Sequence, residues 1–106
     1  MRKEGEGKTI SRRVISPRSR WEIILNILRV ISEEERESKG KIKVKKTRIM
    51  QKAHLDWKNF QKHFNFLLEH GFVGEIIDPE EGMSYELTEK GRDVMRKLRD
   101  VERILR

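Results

Sequence analysis

Residues 46–70 read KTRIMQKAHLDWKNFQKHFNFLLEH, and the fold turns on how this stretch is read. The spacing predicts two short helices joined by a tight corner. In the first, over residues 47–53, Thr47 stands at the cap position and Ile49, Met50 and Ala53 form the inner side. The small Ala53 lets a second helix cross closely. His54-Leu55-Asp56 makes the corner: Leu55 plugs the junction, Asp56 caps the next helix, and His54 is the candidate for a left-handed backbone. The second helix, from about 56 to 70, buries Phe60, Phe64, Leu67 and Leu68, with Trp57 beside them. At about 100° per residue, Lys58, Lys62, Asn65 and Glu69 lie opposite, and Gln61 flanks them. Lysine can reach guanine or phosphate, and Asn and Gln can pair with adenine, so Lys58, Gln61, Lys62 and Asn65 are candidate contacts in a major groove.

The sequence around this stretch supplies scaffold. Upstream, Ser16-Pro17 is read as the start of a helix in which Ile24, Ile27, Leu28 and Ile31 recur on one face, with Trp21 near it and Gly40 at its end. The acidic run Glu33–Glu37 at that end opposes the helix dipole and is read as a solvated face. Lys41-Ile42-Lys43-Val44-Lys45 alternates like a short strand, with Ile42 and Val44 inward and the lysines, Lys45 among them, facing solvent or phosphate. Downstream, Gly71 closes the second helix. Residues 72–77 and 83–88 read as two strands joined by Asp78-Pro79-Glu80-Glu81-Gly82, a hairpin wing. Thr88 caps a last helix in which Val94, Leu98, Val101 and Leu105 repeat as a coiled-coil seam, widened by Met95 and Ile104, and this seam is expected to join two copies.

The chain of 106 residues carries a net charge of +7, distributed unevenly. Residues 39–62 hold nine Lys or Arg against one Asp, while residues 63–88 hold six acids and no Lys or Arg. Residues 1–16 form a flexible basic arm in this reading, with Arg12 and Arg13 as further DNA contacts, and Lys46, next to the helix over residues 47–53, adds to the basic face. Charge focused on one motif and one arm points to a nucleic-acid partner more than a uniformly basic surface would. The charged fraction of 41% also suits a heat-adapted protein.

Other classes find little support. No apolar run approaches the roughly 20 residues of a membrane span, and MRKEGEGK has no signal-peptide core, so no membrane partner and a cytoplasmic, nucleoid-associated location are expected. Cysteine is absent, which removes disulfides and thiolate chemistry. Gly5-Glu6-Gly7-Lys8-Thr9 ends like a phosphate-binding loop, but Arg2 stands where that loop needs its first glycine. His63 and His70 share a helix face about 10 Å apart, too far to ligate one metal. No enzyme activity, cofactor or metal is expected.

Arg20-Trp21-Glu22-Ile23-Ile24, Lys46-Thr47-Arg48-Ile49-Met50, Ala53-His54-Leu55, Phe66-Leu67-Leu68 with Gly71, and Tyr85-Glu86-Leu87-Thr88-Glu89-Lys90-Gly91 together resemble an archaeal winged helix-turn-helix family. That family includes the small chromatin protein of Sulfolobus and ArnR-type regulators. The resemblance covers roughly residues 18–106. It implies an α+β, mainly helical winged helix binding double-stranded DNA as a homodimer joined by C-terminal helices, in transcription or nucleoid architecture. By the same match Thr47, Arg48 and the start of the helix from about 56 to 70, Trp57 and Asn59 included, become phosphate and groove contacts. The expected division is a basic arm over 1–16, a DNA-binding domain over 17–88 and a dimerisation helix over 89–106. Two departures stand out. The wing turn is acidic where many DNA-binding wings are basic, and the last helix is short. An acidic wing leaves a second reading, a winged-helix adaptor that binds a protein partner there.

Overall fold

A computed structural model of the chain describes residues 19–39 and 43–105. The elements are α1 (Arg20–Ser38), α2 (Lys46–Ala53), α3 (Trp57–Glu69), β1 (Val73–Asp78), β2 (Gly82–Leu87) and α4 (Glu89–Leu105). Three helices pack around one another, the two strands form an antiparallel hairpin, and α4 returns across α1. This is the α+β winged helix expected from the sequence.

α1 begins at Arg20. The Glu22 carboxylate accepts from the Ser19 backbone N–H and from its hydroxyl, both at 2.9 Å, which ties off a helix end that would otherwise leave donors open. Ser16, Pro17 and Gly40 lie outside the described residues. The left-handed residue that ends α1 is Lys39, at φ 53°. The buried face of α1 is wider than the predicted stripe, adding Ile23, Leu25 and Val30, because α2, α3, α4 and β2 all pack on it.

The acidic end of α1 is the main departure from the sequence reading. Glu33 and Glu37 are exposed, as a solvated face requires, but Glu34 and Glu35 are not. Glu34 pairs with Arg48 at 2.9 Å and with Lys52 at 3.8 Å, which binds α1 to α2. Glu35 accepts from the Leu87 N–H and from Arg92, both at 3.1 Å, so one carboxylate holds the wing and α4 against α1. Carboxylates opposed to their own helix dipole are stabilised here by cations from α2 and α4 and by a backbone N–H of β2, a compensation that one-dimensional periodicity does not contain.

The corner follows the sequence closely. His54 adopts φ 56° and ψ 44°, the left-handed region, and its N–H donates to Gln51. Asp56 caps α3 by accepting from the Asn59 N–H at 2.8 Å. Ala53 is fully buried, and Asn26 donates to its carbonyl at 2.9 Å where α1 and α2 cross. α2 starts one residue early, at Lys46, so Thr47 lies inside the helix and is exposed instead of capping it.

Phe60 and Phe64 stack at 4.9 Å, and Phe64 meets Tyr85 of the wing edge-on at 4.8 Å. That aromatic column fixes the wing against α3. The strands pair from Val73↔Leu87 to Asp78↔Gly82. Gly82 turns the hairpin at φ +85°, where a side chain would be strained. The strand expected over 41–45 is reduced, among the described residues, to a single bridge in which the Tyr85 N–H donates to the Val44 carbonyl at 2.9 Å. Ile42 lies outside the described residues.

The Thr88 hydroxyl donates to Gly71 at 2.6 Å and accepts from the Gly91 N–H at 3.0 Å. A Cβ at position 91 would sit 2.0 Å from the Phe72 carbonyl oxygen, so glycine lets α4 start directly against the wing base. Beyond Met95 the helix leaves the core: Val94 and Leu98 are half-buried, while Ile104 is 80% and Leu105 68% exposed.

Candidate nucleic-acid interface

α3 divides as its periodicity requires. Phe60, His63, Phe64 and Leu67 are buried. Lys58, Lys62, Asn65 and Glu69 are exposed on the other side. Since the inner face is clamped into the core, the outer stripe is held on a rigid rod. The capped first turn of α3 directs backbone N–H groups toward the same end as Lys58.

The remaining candidate residues fall into different surroundings. Thr47 is exposed. Trp57 is 55% exposed, with the Lys46 ammonium 5.3 Å from its ring centre and 5.5 Å from that of Phe64. Lys46 is therefore half-sunk into an aromatic cleft, where it also carries charge to the α3 terminus. Lys45 turns toward the wing, its ammonium donating to the Glu81 carbonyl at 2.6 Å and to that of Met83 at 3.3 Å. Arg48 is engaged by Glu34, as above. The Asn59 amide donates to Asp56 at 3.2 Å. Gln61 does not stand on the outward stripe: it is half-buried, and its amide oxygen is buried without a hydrogen-bond partner. Arg12 and Arg13 lie outside the described residues.

His63 is a buried residue that the sequence analysis did not assign to the core. Its Nδ1–H donates to the Asn59 carbonyl at 2.7 Å, one turn back. The signal was present, because position 63 falls between Phe60 and Phe64 on the inner arc. Among the described residues no cluster of His, Asp or Glu could hold a metal, and no helix is long and apolar enough to cross a membrane.

The wing turn is organised by its own acid. Asp78 accepts from the N–H groups of Glu80 at 2.8 Å and Glu81 at 3.0 Å. Those backbone donors, with Lys43 and Lys45 nearby, hold its carboxyl below the usual carboxylate range. Asp78 therefore has a structural task, whereas Glu80 and Glu81 are exposed.

Comparison with known proteins gives concordant results. A winged helix-turn-helix family model matches residues 17–106. An uncharacterized protein of Methanocaldococcus jannaschii is 36% identical over 88 residues, covering 83% of this chain and 77% of that protein. A second from the same archaeon is 34% identical over 83 residues, 78% of this chain but only 33% of that longer protein. The crystal structure of Sso10a-2, a DNA-binding protein from Sulfolobus solfataricus, is similar with a TM-score of 0.65 at 24% identity, over 82% of this chain and 81% of that one. The PcaV transcriptional regulator of Streptomyces coelicolor follows at 0.58 and 19%, over 71% of this chain and 50% of that one. At such identities the structural likeness concerns the fold.

Proposed function

The chain belongs to the winged helix-turn-helix family, and from that premise we propose that it binds double-stranded DNA in the cytoplasm, at the nucleoid, as a transcription regulator or small chromatin protein. The observation that carries this reading is the exposed stripe of Lys58, Lys62 and Asn65 on a helix whose opposite face is locked in the core. α3 enters the major groove, with Thr47 and Lys46 at its entrance and Trp57 against the backbone or base edges. Arg48 reaches phosphate by exchanging Glu34 for a phosphate oxygen. The DNA-binding description of Sso10a-2 and the regulatory description of PcaV support the same class of function. Two copies join through the outer part of α4, where Val101, Ile104 and Leu105 are exposed and continue the seam begun by Val94 and Leu98.

Duplex titration at two salt concentrations tests the reading. Each phosphate neutralised contributes a slope of about −0.9 to log K against log salt. The double variant Lys58→Ala/Lys62→Ala is expected to keep its fold, lose about tenfold or more in affinity, and flatten the slope by up to about two. Parental affinity in that variant would remove α3 from the interface.

A further inference from the structure

The wing carries a surface that neither the core nor the proposed DNA face uses. β2 has neighbours on both sides, β1 on one and Val44 on the other. Its Tyr85 and Leu87 N–H groups donate away from β1, to the Val44 carbonyl and to the Glu35 carboxylate. Glu75↔Tyr85 and Val73↔Leu87 are therefore the non-hydrogen-bonded pairs of the ladder. One step further, the Thr88 N–H donates to the Phe72 carbonyl at 3.3 Å, as the same alternation requires. The N–H and C=O groups of Val73, Glu75 and Ile77 thus point to the outer edge of β1. Among the described residues no group bonds to them there. An unpaired edge of this kind is a template for one more strand.

The side chains of the same three residues run outward from the core. Val73 is buried and Glu75 is exposed, while Ile77 is 76% exposed and its cross-strand partner Met83 is 42% exposed. The open part of the edge is Glu75 to Ile77, an acid and a bare aliphatic chain two positions apart on one strand face. Its charge has one sign. Residues 73–82 hold Glu75, Asp78, Glu80 and Glu81 and no Lys or Arg. Lys43 and Lys45, the cations near the turn, flank Val44 and stand on the β2 side. Pairing with β1 of a second copy would set two acidic strands side by side, which like charges oppose. The complement of this edge is a strand with a cation opposite Glu75 and an aliphatic residue opposite Ile77.

We propose that the outer edge of β1, from Glu75 to Ile77, docks an extended segment of a partner protein in which basic and aliphatic residues alternate on one face. Backbone bonds at Glu75 and Ile77 hold the segment as a third strand, and the Glu75 carboxylate and the Ile77 side chain select its sequence. Docking occupies the unpaired edge and covers Ile77. The exposed Glu80 and Glu81 add a field that draws a basic segment toward the turn. The docking does not rest on duplex binding by α3.

Backbone amide exchange on the full chain tests this, with a capped heptapeptide as the probe. The peptide has valine, arginine and valine at its second, fourth and sixth positions and threonine elsewhere, so that its selective face fits either strand direction. In the isolated chain the Glu75 and Ile77 amides are expected to exchange freely, and saturating peptide should slow them by about tenfold or more. A peptide with glutamate in place of arginine should bind about fivefold or more weakly. Glu75→Lys, a change at an exposed position, should reverse that preference while the wing stays folded. No slowing, equal affinity for the two peptides, or a preference that Glu75→Lys leaves in place overturns the docking. Slow exchange in the isolated chain that fades on dilution assigns the edge to a second copy, and slow exchange at every concentration assigns it to the chain itself. Either result overturns a separate partner and leaves duplex binding by α3 untouched.

Discussion

Gly91 shows how one residue decides where an element can go. It occupies the first turn of α4, where glycine is a poor helix former, and its reason lies in Phe72, whose carbonyl oxygen would be 2.0 Å from any Cβ. Gly91→Ala is expected to lower stability by about 1–3 kcal/mol despite the gain in helix propensity, because the wing base or α4 must shift. Thermal or denaturant unfolding measures it, and a variant as stable as the parent would mean that the two segments do not press together. His54 makes the opposite case. Its left-handed conformation was readable from the sequence, since the corner is short and contains no glycine. His63 was legible as well, at the right angle between two buried phenylalanines. The engagements of Lys45, Arg48 and Asn59 were not. Lys45 and Arg48 have their partners in other elements, the Glu81 and Met83 carbonyls and Glu34, whereas Asn59 turns back on the Asp56 cap of its own helix.

At the scale of elements, the wing turn depends on an ionised acid. Asp78 is held below its ordinary carboxylate value by the Glu80 and Glu81 backbone donors first, with Lys43 and Lys45 adding to them. A depressed carboxyl contributes stability above its unfolded pKa and loses it as pH falls through the folded one. The wing turn is thus expected to stay ordered at neutral pH and to loosen only below about pH 4, the ordinary carboxylate range. The amide shifts of Glu80 and Glu81, followed against pH, should titrate together with a midpoint below that range. A midpoint at or above it would contradict the capping role of Asp78. The outline of the wing was plain in the sequence, because strand alternation and a Pro-Gly turn mark a hairpin. Its attachment was not, since Glu35 reaches it from α1 and Lys45 from the segment before α2.

At the scale of the molecule, α4 carries the proposal of a pair of chains. Its outer end leaves Ile104 and Leu105 in solvent, and exposed apolar side chains in one row favour association with a second helix. Sedimentation of the full chain is expected to show a dimer, and Val101→Glu/Ile104→Glu should give a monomer with an unchanged helical spectrum. A parent that sediments as a monomer at tens of micromolar would end that proposal. The sequence by itself determined the class of fold and the two faces of α3, because helix period, cap residues and turn residues act over a few positions and are written in order along the chain. Only the tertiary structure decided which basic residues remain available to a partner. The acids Glu34 and Glu35, distant in sequence, are brought against Arg48, Lys52 and Arg92, and the wing carbonyls against Lys45. Charge pairing acts through space, and which charges meet depends on how the helices and the wing pack.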